Sequence, residues 1–184
     1  MVVGLLNKFG RAKARDLLPV RKISDSKIAG GKSLIIAGSE GMFGAAVLAA
    51  TAAARVGSGY VILLTDQKNF SSLRHPDFLT ADWKNKKIED VALSAVGIGP
   101  GLGQSAQAFS LLRQLLKLKI KNVVIDADAL NLCAKKKAYP LPKTWVATPH
   151  EGELARILQD SAENIKNDRV AALIKAQEKL GCII

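Results

Sequence analysis

Short apolar runs alternate with stretches of helical periodicity along most of the chain. Five apolar runs are predicted to be strands, at 32–38, 60–65, 91–99, 122–127 and 144–148. Helices are predicted at 42–56 and 105–117, from residue 151 onward, and at 161–180. Strands without polar alternation that are separated by helices are typical of a parallel sheet covered on both faces. The pattern therefore predicts an α/β fold with a mainly parallel central sheet and helices on both faces.

Three segments lie outside this alternation. Residues 1–29 are basic and weakly patterned, which predicts an N-terminal arm or helix ahead of one α/β domain over 30–184. The polar passage 66–90 has no clear period. Gly181 predicts a helix stop, and residues 182–184 begin a sixth apolar run that is shorter than the usual five or six residues of a strand. We therefore expect that the chain is truncated at its C-terminus and comprises only the N-terminal part of this domain.

The composition indicates a globular protein with an anionic partner. Apolar residues make up 48% of the chain and charged residues 23%, and no apolar run approaches the roughly 18 residues of a membrane span. The N-terminus is apolar before it is basic, the reverse of a secretory signal, so we expect a cytoplasmic protein that binds no membrane. The net charge of +11 favours anionic ligands, but the scattered basic residues and the 5% aromatic content argue against nucleic-acid binding.

The two cysteines, Cys133 and Cys182, have no metal-binding spacing and lie in apolar surroundings. We expect both to be small buried thiols, with no disulfide framework and no metal site.

Polar and glycine-rich stretches follow four of the predicted strands, at 38–44, 99–103, 126–131 and 148–153. In open parallel sheets, ligands bind beyond the carboxyl ends of the strands. The recurrence of such stretches at these ends predicts a small-molecule site along one edge of the sheet.

The sequence "VGIGPGLGQ" at 96–104 leaves three interpretations open. Gly99 and Gly101 supply the G-x-G of a dinucleotide cradle, but Gln104 stands where the third glycine belongs and Pro100 has no N–H to donate. A P-loop is excluded, because the chain contains no G-x-x-x-x-G-K-[ST] motif. The remaining interpretations are a different kind of ligand-binding turn and a tight turn that serves only the fold.

The series "IIAGSEGMFGAA", "RVGSGYV", "GIGPGLG", "IDADALN" and "TPHEGE" resembles the ADP/ATP-dependent NAD(P)H-hydrate dehydratase family of the ribokinase-like superfamily. The resemblance covers about 30–184, with the spacing kept throughout. It implies a ribokinase-like fold and an enzyme of nicotinamide cofactor repair. Such an enzyme dehydrates the S epimer of the hydrates NADHX and NADPHX to NADH and NADPH, with ATP or ADP as co-substrate and Mg²⁺. Phosphorylation of the hydroxyl would turn a poor leaving group into a good one.

The same resemblance implies which residues bind the hydrate. Matched by motif, these are Ala45 in "GMFGAA", Gly103 in "GPGLG" and His150 in "TPHEGE". Four more residues are candidates for the pocket wall, its floor or a metal-bound water: Gly101, Asp126, Asp128 and Asn131.

Family members continue beyond the strand that begins here at Cys182 into a lysine-glycine segment and a "GTGD"-type motif, which this sequence does not contain. The family's catalytic aspartate belongs to that motif, so no catalytic residue is assigned in this chain. We therefore expect the chain alone to be inactive or impaired, and to act as a homo-oligomer or with a separately encoded C-terminal half. A ribokinase-like kinase for a small alcohol and a noncatalytic nucleotide-binding module are the alternatives.

Overall fold

The computed structural model describes residues 10–18, 20, 22–66, 77–84, 88, 93–118 and 120–184. Within these ranges the chain forms seven α-helices and six β-strands. The strands are β1 (Lys32–Ile36), β2 (Tyr60–Thr65), β3 (Leu79–Asp82), β4 (Ala95–Ile98), β5 (Val123–Ile125) and β6 (Val146–Ala147). The helices are α1 (Arg11–Leu17), α2 (Phe43–Arg55), α3 (Ala106–Leu118), α4 (Ala127–Lys136), α5 (Glu151–Leu158), α6 (Ala162–Asn167) and α7 (Arg169–Leu180).

The strands form one parallel sheet in the order β3-β2-β1-β4-β5-β6. β1 lies at the centre, where Leu34 is in register with Ile62 of β2 on one side and with Val96 of β4 on the other. Beyond β6, Ile183 forms a single parallel bridge with Val146. The predicted parallel sheet is therefore confirmed, and residues 182–184 do extend it.

Alternate residues of the central strands enter two cores on opposite faces of the sheet. Leu34 and Ile36 belong to the larger core, which also contains buried leucines of α3 and α4. Ile35 belongs to the smaller core, where Ala46 and Ala50 of α2 are fully buried. Because alanine has no side chain beyond Cβ, an alanine-rich helix can approach a sheet closely. Helices therefore cover both faces, as the alternation of apolar runs predicts.

Three elements differ from the sequence prediction. α4 forms over Ala127–Lys136, where no helix was predicted. β3 lies inside the polar passage 66–90, where no strand was predicted; it has no apolar run, and its residues are exposed or half-buried. The helix predicted over 161–180 is two helices, because Asp168 ends α6 and begins α7. Its backbone leaves the helical region, with φ −143° and ψ 79°, and its carboxylate accepts a hydrogen bond from the N–H of Ala171.

In the described part of the N-terminal segment, α1 has no buried residue. Cys133 and Cys182 are both free and buried, and burial, with a smaller effect of Cys182, raises the pKa of the Cys133 thiol to about 12. None of the described helices has the length and apolar character needed to cross a membrane.

Candidate functional site

The strand order places a crevice between the carboxyl ends of β1 and β4. From β1 the chain leads through α2 to β2 on one side of the sheet, and from β4 it leads through α3 to β5 on the other. At such a reversal the two connecting loops diverge and leave a space between them, which is where open α/β sheets bind ligands. The two loops are residues 37–42, called the first loop, and residues 99–105, called the glycine loop.

Backbone hydrogen bonds join these loops at their bases. The N–H of Gly38 donates to the carbonyl of Pro100 over 3.1 Å, and the N–H of Ser39 donates to the carbonyl of Gly101 over 2.6 Å. A Cβ on Gly101 would lie 2.8 Å from Cβ of Met42 and 3.2 Å from Cβ of Ala45, while Gly101 itself has φ +57°. These distances make Ala45 and Gly101, two of the predicted site residues, direct neighbours. Together with the positive φ, they also mean that only glycine fits at position 101.

The far end of the glycine loop contacts α4. The N–H of Gly103 donates to Oδ2 of Asp128 over 2.9 Å, although 25 residues separate the two in sequence. A Cβ on Gly103 would lie 3.1 Å from Oγ of Ser39. Gly103 therefore lies between the first loop and α4, and it brings Ala45, Gly101 and Asp128 into one group of contacts.

Asp126 lies between β5 and α4, and its backbone carbonyl, rather than its side chain, contacts the glycine loop. Its carbonyl oxygen lies so close to Gly99 that a Cβ on Gly99 would overlap it, and Gly99 has φ +132°. Asp126 is the N-cap residue of α4, but its side chain makes no capping hydrogen bond. The next residue, Ala127, has φ +47°, a left-handed conformation that is unfavourable for an L-residue with a side chain.

The glycine loop uses three of its N–H groups in hydrogen bonds within the protein. The N–H groups of Gly99, Leu102 and Gly103 donate to Ile36, Gly99 and Asp128, and Pro100 has no N–H. A pyrophosphate site needs several such donors pointing at the ligand. These three N–H groups are therefore not available to a pyrophosphate, although the strand order is the one found in dinucleotide-binding domains.

His150 is the N-cap residue of α5 and forms a capping box with Glu153. Its Nδ1 accepts a hydrogen bond from the N–H of Gly152 over 3.0 Å, and the carboxylate of Glu153 accepts one from the N–H of His150 over 3.0 Å. Because Nδ1 accepts, a neutral ring carries its proton on Nε2, which lies 3.2 Å from Oε1 of Glu153. The side chain of His150 is 64% exposed and that of Glu153 is 4% exposed. The imidazole can therefore reach solvent while its carboxylate partner is fixed.

Polar contacts link the last turn of α5 to α4 and the first turn of α5 to α7. Nη1 of Arg156 donates to Oδ1 of Asn131 over 3.1 Å. Nη2 of Arg169 lies 2.8 Å from Oε1 of Glu151. A hydrogen bond from its own backbone N–H, with Arg169 as a smaller cause, lowers the pKa of Glu151. Asn131 lies three residues after Asp128, on the same side of α4. α5, which His150 caps, is therefore connected to the glycine loop through α4: Asn131 contacts Arg156 of α5, and Asp128 contacts Gly103.

All seven predicted site residues thus lie beyond the carboxyl ends of neighbouring strands. Four of them form the contact group around Gly103, while Asn131 and His150 flank the junction of α4 with α5. Adjacent strands lie about 4.8 Å apart, so the edge from β1 to β6 is about 14 Å wide. No contact joins His150 directly to Ala45 or Gly103 among the contacts described, so a ligand of dinucleotide size would have to bridge them.

An apolar groove begins at this edge and follows the face of the sheet that carries α2. It has a volume of about 430 Å³, and its lining includes Ala53, Gly97, Val124, Pro100 and Asp126. Val124 is 45% exposed. Among the described residues, α2 covers β1 and β2 on this face, while the strip over β4 and β5 is open.

Two polar features of this edge were not found by the sequence analysis. Lys84, just after β3, lies with its Nζ 2.8 Å from Oδ1 of Asp66 at the end of β2, and this hydrogen bond raises the pKa of Lys84. Both residues belong to the polar passage in which no strand was predicted. The second feature is the contact of Arg156 with Asn131. Arg156 could have been considered as a site residue, because it lies on the helix that begins within the "TPHEGE" motif.

Within the described ranges, no three His, Cys, Asp or Glu side chains cluster in a way that would hold a metal ion.

Comparisons with known proteins agree with the motifs at this edge. Residues 33–184 match the family described as NAD(P)H-hydrate dehydratase. A bifunctional NAD(P)H-hydrate repair enzyme from Vibrio cholerae is 35% identical over 173 residues, which are 91% of this chain and 34% of that protein. The ADP-dependent (S)-NAD(P)H-hydrate dehydratase of Lactiplantibacillus plantarum is 37% identical over 159 residues, which are 82% of this chain and 56% of that protein.

Solved structures share the fold. The ADP/ATP-dependent NAD(P)H-hydrate dehydratase of Bacillus subtilis, co-crystallised with ATP/Mg²⁺, is similar with a TM-score of 0.79 and 28% identity, over 93% of this chain and 62% of that one. A ribokinase-like superfamily protein from Enterococcus faecalis has a TM-score of 0.79 and 26% identity, over 95% and 63%. The ribokinase-like α/β fold is thereby confirmed. This chain spans 34% to 63% of the length of these four proteins. Because the family match runs through nearly all of the described sheet and its carboxyl edge, the chain belongs to the NAD(P)H-hydrate dehydratase family.

Proposed function

We propose that the carboxyl edge between β1 and β6 binds the S epimer of NADHX or NADPHX, for dehydration to NADH or NADPH. The observation that carries this proposal is the network around Gly103, which joins the first loop, the glycine loop and α4 at the reversal of strand order. The network includes Ala45 and Gly103, two of the three residues matched by motif. Relatives named as (S)-NAD(P)H-hydrate dehydratases support this substrate class.

Two features of this edge suit an anionic dinucleotide. α2 begins at the crevice with Met42 as its N-cap residue, and the positive end of the helix dipole there favours a ligand phosphate. The small side chain of Ala45 lets the ligand approach the backbone, while Gly101 and Gly103 let the first loop pack closely against the glycine loop. In the proposed complex, Nε2–H of His150 turns from Glu153 to donate a hydrogen bond to the hydrate.

ATP or ADP is the proposed co-substrate, as in the names of the relatives. Its terminal phosphoryl group would convert the hydroxyl of the hydrate into a phosphate that can leave. Since the described residues offer no metal cluster, we propose that Mg²⁺ enters with the phosphates of the nucleotide. The part of this chain in the reaction is to bind and orient the hydrate, through the first loop, the glycine loop and His150.

Calorimetric titration of the purified chain tests this function. We expect saturable binding of (S)-NADPHX and at least about tenfold weaker binding of the R epimer, because the two place the hydroxyl on opposite faces of the ring. A chain that binds neither epimer, or both equally, would contradict the proposal. Adding ATP or ADP with Mg²⁺ and following the absorbance of regenerated NADPH tests the separate prediction that the chain alone is inactive or impaired. A phosphorylated product without NADPH would instead indicate a small-molecule kinase.

The assignments of partner, domain and location stay predictions. The open strip around Val124 supports contact with a second copy of the chain or with a separately encoded C-terminal half, and sedimentation velocity measures the association state. The division into an arm over 1–29 and a domain over 30–184 is supported by the start of the family match at residue 33. We also propose a cytoplasmic location, where reduced nicotinamide cofactors are used.

A further inference from the structure

We infer that Asp128 is a positioning residue, whose carboxylate holds the glycine loop in the conformation that accepts the hydrate. The inference rests on the proposed function and extends it to a residue that does not itself contact the ligand. Oδ2 of Asp128 accepts the N–H of Gly103 over 2.9 Å in a partly buried environment. Hydrogen bonds to a charged acceptor are about twice as strong as neutral ones, so this bond can hold a loop.

The glycine loop needs such an anchor, because its own backbone is permissive. Gly99, Gly101 and Gly103 all have positive φ, at +132°, +57° and +72°. Glycine reaches these conformations without steric cost, but it also has many others available, and ordering it costs more entropy than ordering other residues. The bond to Asp128 is a side-chain contact that fixes the distal end of the loop, next to Ser39.

Asp128 is itself rigidly placed. It lies in the first turn of α4, whose residues Ala129, Leu130, Leu132 and Cys133 are fully buried. The turn before it contains the left-handed Ala127, and the carbonyl of Asp126 is packed against Gly99. Unfavourable backbone conformations persist where the surrounding structure dictates them, and they cluster at functional sites. Here the turn directs the Asp128 carboxylate toward the glycine loop rather than along the axis of its own helix.

The bond also changes what Gly103 can offer a ligand. Since its N–H is taken by Asp128, Gly103 has its carbonyl left to offer a ligand. Asp128 therefore acts on the hydrate through Gly103. A purely structural role, as an acidic residue in the first turn of a helix, would stabilise α4 without affecting the loop.

Three variants of the 184-residue chain separate these roles, with (S)-NADPHX as the probe in calorimetry. We expect Asp128→Ala to weaken binding by about tenfold, because the loop loses its anchor. Asp128→Asn keeps an acceptor oxygen in place, and we expect its affinity to stay within about threefold of the parent chain. Asp16→Ala removes the same charge from α1, which has no buried residue, and should leave affinity unchanged.

The amide signal of Gly103 in a ¹H–¹⁵N spectrum provides a second readout that needs no ligand. Loss of the charged acceptor should shift this signal upfield in Asp128→Ala, and in Asp128→Asn it should move more than any other amide outside α4. If Asp128→Ala does not fold, the asparagine variant decides. An Asp128→Ala chain that binds like the parent, an asparagine variant as weak as alanine, or an unmoved Gly103 signal would overturn the inference. If the parent chain itself binds no hydrate, the proposed function fails, and the Gly103 signal still tests the anchor.

Discussion

Replacing Gly99 with alanine is expected to lower the free energy of unfolding by about 3 kcal/mol. The new Cβ would overlap the carbonyl oxygen of Asp126, a backbone atom that cannot move without displacing the start of α4. Gly99 also has φ +132°, which alanine rarely adopts. Both costs act at the junction of the two central loops, so part of the loss should appear as weaker hydrate binding. Urea denaturation followed by circular dichroism measures the change.

Gly44→Ala is the matched control for this substitution. Gly44 lies in α2 without a positive φ, and a Cβ there would meet no atom within 4 Å. Alanine is the better helix former, so we expect unchanged stability or a gain of up to about 1 kcal/mol. If Gly99→Ala were as stable as this control, the close approach of Asp126 to Gly99 would be wrong.

Replacing His150 is expected to have the largest effect on hydrate binding, and two variants divide its two roles. His150→Ala removes both the helix cap and the imidazole. We expect it to lose about 1 kcal/mol of stability and to bind (S)-NADPHX about ten- to hundredfold more weakly. His150→Asn restores a good N-cap residue for the N–H of Gly152, so stability should return while binding stays weak.

Thermal unfolding and calorimetry on the same preparations measure both effects. The asparagine variant is the informative one, because it differs from the parent mainly in the donor at Nε2. Hydrate affinity in His150→Asn equal to that of the parent would show that His150 serves only to cap α5.

The common edge at which the candidate site residues lie could be predicted from the sequence, because it depends on the topology of the sheet. In a parallel sheet every strand ends at the same edge, so Ala45, Gly103 and His150 had to lie along one edge whatever the loops between them do. The contact between Gly103 and Asp128 could not be predicted. It depends on the left-handed turn at Ala127, and nothing in the apolar pattern specifies such a conformation.

The errors in the fold have similar causes. β3 is an edge strand that gains its conformation by pairing with β2, so its own residues do not need an apolar run. Its absence from the prediction also concealed the ion pair between Asp66 and Lys84. The break at Asp168 was readable, since aspartate is a strong N-cap residue, but the surrounding helical periodicity outweighed it.

The most direct test of the central claim is an amide-shift titration of the isotope-labelled chain with (S)-NADPHX. We predict that the signals of Ala45, Gly103 and His150 shift together and saturate at one dissociation constant. Signals at the opposite edge of the sheet, such as Ser94 and Tyr60, should stay in place. Shifts centred on Ser94 and Tyr60, or separate dissociation constants for Gly103 and His150, would contradict a single hydrate site between β1 and β6.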